Sequence, residues 1–202
     1  MGVPSAQKVA NKRDSARPRD ERHKMSQLHP EIRKTLDLFE QAMSENGLTD
    51  LHSGGVDAAR AFHNSRRLPE SMLPPIHRVE NLTIPGSGGD IPIRIYRSSG
   101  EQNLPLLMWF HGGGWVLGNL ENGELRCRTL ANKVGCVVVS VDYGLAPETP
   151  FPGAINDCAA ATTWAASAAK ALGIDPQRIA VGGDSAGGNL AACVALRARD
   201  TG

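Results

Sequence analysis

The sequence predicts an α/β fold, and three observations carry that prediction. Apolar runs with strand character recur at Arg78–Ile84, Ile91–Arg97, Leu104–Phe110, Cys136–Val141 and Arg178–Gly182. Segments with helical spacing, Asn122–Val134 and Ala154–Leu172, separate the later runs. Two of the runs lead directly into glycine-rich loops, His111-Gly112-Gly113-Gly114-Trp115 and Gly183-Asp184-Ser185-Ala186-Gly187. Strands that alternate with helices need crossover connections, so a mostly parallel sheet with flanking helices is expected.

Taken in chain order, residues 1–26 form a compositional compartment. Residues 1–24 carry seven basic side chains, three acidic ones and no apolar stretch longer than two residues. That pattern lacks the apolar core of a secretory signal and reads as a solvated, disordered leader. Leu28, Ile32, Leu36, Phe39 and Met43 then recur at three- and four-residue steps, predicting a helix that ends by Gly47. A second helix is expected over Asp57–Asn64, with Val56, Ala59 and Phe62 apolar and Arg60 facing water. Pro69, Pro74 and Pro75 end the helical part, so residues 27–75 form one expected segment and 76–202 another. Pro85–Asp90 has hairpin-turn chemistry, Gly173 stops the Ala154–Leu172 helix, and a last helix runs from Ala186 toward Arg199.

Composition removes several function classes. Twenty-two basic against 21 acidic side chains leave a net charge of +1, which offers no field for nucleic acid. The longest apolar runs fall far short of the ~20 residues of a membrane span. Cys127, Cys136, Cys158 and Cys193 have no paired spacing, so neither a zinc site nor a redox pair is expected; a reduced, cytoplasmic protein is. Neither glycine cluster matches a dinucleotide fingerprint or a P-loop, and the six histidines form no metal-ligand pattern. No cofactor and no metal are expected.

What remains is the chemistry of the two loops. Gly183-Asp184-Ser185-Ala186-Gly187 matches G-x-S-x-G between an apolar strand and a helix. There the glycines permit a tight reversal that thrusts the serine Oγ out at the strand end. The helix that follows aims its first N–H groups at the same place. Three consecutive glycines after Phe110 indicate a backbone path that a Cβ would obstruct. That loop is either a set of bare amides facing a developing negative charge or a tight structural turn.

These two motifs, together with Asp142-Tyr143-Gly144-Leu145-Ala146-Pro147-Glu148, resemble the hormone-sensitive-lipase-like family of α/β-hydrolases, bacterial carboxylesterases and lipases, over its N-terminal two-thirds. The resemblance implies an α/β-hydrolase fold with residues 27–75 as an N-terminal helical cap. It implies Ser185 as the acyl nucleophile and an oxyanion hole of amides from Gly113, Gly114 and Ala186. His111 and Gly112 are expected to orient that loop, and the Asp142–Glu148 segment to be structural. The implied reaction is hydrolysis of short- to medium-chain acyl esters through an acyl-serine. The implied partner is a small-molecule ester, and the resemblance allows a homodimer. Gly113→Ala is expected to spare folding while costing about two orders of magnitude in activity.

One departure qualifies the resemblance. The fold orders its triad as serine, then acid, then histidine. Only Asp200 and no histidine follow Ser185 here, so the chain is expected to stop after the nucleophile helix and to be nearly inactive alone. Arg178–Gly182 is accordingly expected to be a central strand lacking one neighbour. The alternative readings are a non-catalytic small-molecule binder on the same fold and an inactive remnant.

Overall fold

Val137-Val138-Val139-Ser140-Val141, every residue of it buried, forms the strand around which the sheet is assembled. The structure, a computed structural model, describes residues 28–51 and 53–201; the expected leader lies outside them. Five strands are present: β1 (Arg78–Gly86), β2 (Gly89–Arg97), β3 (Leu104–Phe110), β4 (Val137–Val141) and β5 (Ile174–Gly183), in the spatial order β1-β2-β4-β3-β5. The Pro85–Asp90 turn closes the β1–β2 hairpin, Gly86 pairing with Gly89. β2 runs antiparallel to β4, whereas β3 runs parallel to both β4 and β5. The parallel part is thus β4-β3-β5, and the hairpin adds an antiparallel edge.

Strand alternation sorts the core into two layers. Leu106, Met108 and Phe110 of β3 join Val137, Val139 and Val141 on one face, against Cys158, Ala161, Ala165, Leu190, Ala191 and Val194. Those partners come from α4 (Gly153–Ser167) and α6 (Ala186–Thr201). Leu107, Trp109 and Val138 face the other way, toward Cys127 and Ala131 of α3 (Leu120–Val134). α3 is closed at both ends by its own sequence. The Asn119 side chain accepts from Asn122 N–H at 3.1 Å, and Gly135, at φ +69°, donates back to Ala131 O.

The helix expected over Ala154–Leu172 is interrupted at Ala168, leaving α5 (Ala169–Leu172) before the left-handed Gly173. Upstream, α1 (Pro30–Glu45) falls in a unit ending at Glu45, and Asn46 onward forms a second unit that contains everything discussed below. α2 (Gly55–Ser65) belongs to this second unit. Arg60 on α2 does not face water, contrary to expectation. Its guanidinium grips both Glu148 carboxylate oxygens at 2.7 and 2.8 Å and donates to Val116 O and Ala146 O at 2.9 Å each. Arg60 also holds the Glu148 carboxyl down to about 2. A residue that alternates like a surface position is therefore a clasp between α2 and two loops.

β5 lies at the edge of the described sheet, as expected of a strand lacking one neighbour. It pairs with β3 alone, and Ile179, Ala180 and Val181 are half-buried, exposed and half-buried in turn. Their apolar character on both faces suits a strand with two neighbours, which is why the sequence reads as central.

Candidate active site

Parallel pairing of β3 with β5 sets Phe110 opposite Gly183, so the loops that follow the two strands leave the sheet side by side. This register brings the two glycine motifs together across more than 70 residues of sequence separation.

The turn after β5 is held by close approach. A Cβ on Gly183 would meet Phe110 O and the Gly187 backbone, and one on Gly187 would collide with Phe110 O. Only glycine at both positions lets the start of α6 lie against the end of β3. Between them Ser185 adopts φ +51°, a left-handed conformation costly for a residue with a Cβ. The strain is over-determined by the hydrogen bonds Gly187 N–H to Asp184 O, 2.8 Å, and Asn189 N–H to Ser185 O, 3.1 Å. Ser185 stands exposed at the tip.

The loop after β3 is bound to this turn by Asp184. Its Oδ1 accepts from Gly112 N–H at 3.2 Å, so the Gly112 amide is occupied. Gly113, at φ +129°, packs against Leu117 so closely that a Cβ would strike the Leu117 carbonyl; Gly114 lies at φ +62° with open space around it. The Gly113 carbonyl accepts from Val116 and Leu117, but among the described residues neither the Gly113 nor the Gly114 N–H has an acceptor. Ala186 opens α6, and the first N–H groups of a helix have no intrahelical acceptor.

His111 is buried behind the loop. Its Nδ1 lies 2.8 Å from Gly112 O, and its ring stacks on Tyr143 at 4.4 Å between centroids. The Tyr143 hydroxyl donates to His111 O at 2.6 Å. Burial holds the imidazole below its ordinary pKa. Among the described residues the Ser185 hydroxyl has no hydrogen-bonded histidine, His111 included.

Asp142, whose Oδ1 is 4.0 Å from His111 Nε2, is pushed up to about 6, chiefly by burial and then by Glu121. Its folded pKa exceeds its unfolded one. The stabilisation it gives is therefore full below about pH 4 and is lost as pH rises through about 6. Asp142→Asn removes that titration and leaves the His111 contribution in place. The variant should melt progressively higher than the wild type as pH rises from 4 to 7. The gain should reach about 1–2 kcal/mol, allowing for the one-third exposure of the side chain. A difference that stays flat with pH across parallel melts would contradict this.

Two cavities border the loop after β3. One, of about 340 Å³, is lined by Gly112, Gly113 and Asp184 together with polar groups of α2 and α3. The other, of about 360 Å³, is mainly apolar, walled by Gly114, Trp115, Phe151, Ile155 and Leu190. Consecutive glycines thus face different cavities.

The chain is similar to known proteins. Residues 107–202 fit the family described as the alpha/beta hydrolase fold. Carboxylesterase NlhH of Mycobacterium tuberculosis is 42% identical over 177 residues, covering 87% of this chain and 53% of the relative. The arylesterase of Saccharolobus solfataricus is 39% identical over 173 residues, covering 86% and 55%. A solved hyperthermophilic esterase from Pyrobaculum calidifontis superposes with a TM-score of 0.76 at 42% identity, covering 86% of this chain and 55% of that one. The chain belongs to the hormone-sensitive-lipase-like α/β-hydrolases. It spans about half the length of the curated relatives it matches.

In this chain the structure brings together Ser185, Ala186, Gly112, Gly113, Gly114 and His111. Three contributors were missed from the sequence. Asp184 holds the loop after β3 through the Gly112 amide. Arg60 fastens α2 to the Val116 and Ala146 carbonyls. Gly118, at φ +100°, leaves room for the His111 ring and the Gly112 carbonyl. Only Gly118 had a local signal, as a further glycine just beyond the triple-glycine run. No helix among the described residues is long and apolar enough to cross a membrane.

Proposed function

We propose that this hydrolase cleaves small carboxylic esters through an acyl-serine formed on Ser185. The observation that carries the reading is the strained, exposed Ser185 beside two glycine amides without acceptors. In the first step Ser185 Oγ attacks the ester carbonyl carbon and gives up its proton to solvent water. The oxyanion accepts from the Gly113, Gly114 and Ala186 N–H groups. Collapse expels the alcohol, which takes a proton, and water then releases the acid from the acyl-serine. The donors are fixed before substrate arrives: Gly112 and Asp184 lock the two loops, and His111 with Tyr143 supports them from behind. The apolar cavity suits a short or medium hydrocarbon chain, its volume lying at the small end of ligand sites.

A serine needs a base, and none of the described histidines bonds to Ser185. Residues 1–202 alone are therefore expected to turn over slowly through Ser185, a serine without a hydrogen-bonded base being a weak nucleophile. Hydrolysis of p-nitrophenyl butyrate should be weak but lost in Ser185→Ala. Equal rates for the two proteins would refute the acyl-serine route. That no described histidine bonds to Ser185 is also what favours the second reading, a binder of small apolar ligands on the same fold. That reading gains if butyrate esters bind without any Ser185-dependent turnover.

A further inference from the structure

The polar cavity beside Gly112 and Gly113 is unlike its apolar neighbour. Arg66, Arg67 and Arg126 line it, with His63 among them. Arg66 and Arg67 follow α2 and Arg126 lies on α3, so three exposed arginines from two parts of the chain line one space. Two carboxylates also line the space, and both are engaged. Glu121 pairs with Arg94 at 3.0 Å, and Asp184 accepts from Gly112 N–H. Arg66 sits over the Phe62 ring, 5.7 Å from its centroid. Neither Arg67 nor Arg126 forms an ion pair among the described residues. His63 is held below its ordinary pKa by burial and then by Arg66 and Arg126, so it leaves the positive charge to the arginines.

Resting on the reading of Ser185 as nucleophile, we propose that this cavity receives an anionic substituent, a carboxylate carried by the ester on the side away from its apolar chain. Gly113 in one wall and Gly114 in the other place the scissile carbonyl between a cationic and an apolar space. An ester spanning both is amphiphilic, as the half-ester of a short dicarboxylic acid is. Guanidinium groups recognise carboxylates through paired N–H donors, and partly exposed ones do so in a salt-dependent way.

The test compares monomethyl succinate with dimethyl succinate on the whole chain, following the amide resonances of Gly112 and Gly113. The carboxylate-bearing ester should bind about tenfold more tightly at low ionic strength, and raised salt should shrink that preference. The double variant Arg67→Gln/Arg126→Gln should abolish the preference while leaving dimethyl succinate binding unchanged. Equal binding of the two esters to the wild type, or a preference that survives in the double variant, would overturn the proposal. Labelling of Ser185 by an uncharged phosphonate separates the two readings. Labelling without carboxylate preference defeats the cavity assignment alone, and preference without labelling defeats the nucleophile alone.

Discussion

Gly187→Ala is expected to cost at least ~3 kcal/mol of stability and to reduce phosphonate labelling of Ser185 by more than about a hundredfold. The new Cβ would strike the Phe110 carbonyl, which is backbone in a buried strand and has nowhere to go. α6 would have to lift from β3, and Ser185 would move with it. Gly188→Ala is the control one residue on. There the Cβ meets Gly183 O at 3.3 Å, a contact relieved by a few tenths of an ångström. That variant should keep its melting temperature and labelling rate nearly unchanged. Similar losses in both variants would mean that the helix start tolerates no bulk anywhere, and that close approach at Gly187 is not the cause.

Gly113→Ala is expected to lose about 10²–10³ in labelling rate together with a lower melting temperature. The sequence alone suggested that folding would be spared. The structure corrects this, because the Cβ would collide with the Leu117 carbonyl at a φ of +129°. Gly114→Ala separates the effects. Its surroundings are open, so the cost is that of a left-handed alanine, about 1 kcal/mol, with labelling reduced by less than about tenfold. Melting curves beside labelling kinetics for both variants check the contrast. Equal behaviour of the two would show that the loop's glycines serve only its conformation.

Much of this fold was legible because its signals are local. The hairpin turn, the left-handed Gly173, the alternation of β3 and the G-x-S-x-G turn are written within a few residues of where they act. What stayed hidden depends on distant partners. Arg60 matches the solvent side of an amphipathic helix, yet Glu148 and the Val116 and Ala146 carbonyls take up its donors. Arg94 and Arg128 share Glu124, and Arg128 reaches Glu70, a network joining β2, α3 and the segment before β1. No periodicity announces such pairs. The motif chemistry placed Ser185 correctly at a strand-to-helix turn, but gave no sign that its neighbour Asp184 would bind Gly112. The edge position of β5 was legible as well, from apolar residues on both faces in a strand with one neighbour among the described ones.

The role of Ser185 is tested most directly by treating the chain with a fluorophosphonate and mapping the adduct by peptide mass spectrometry. A slow reaction is expected, since no described histidine bonds to the serine, with a single adduct on the peptide containing Ser185 and none in Ser185→Ala. An adduct on another residue with Ser185 unmodified, or no Ser185-dependent adduct at all, would contradict the assignment.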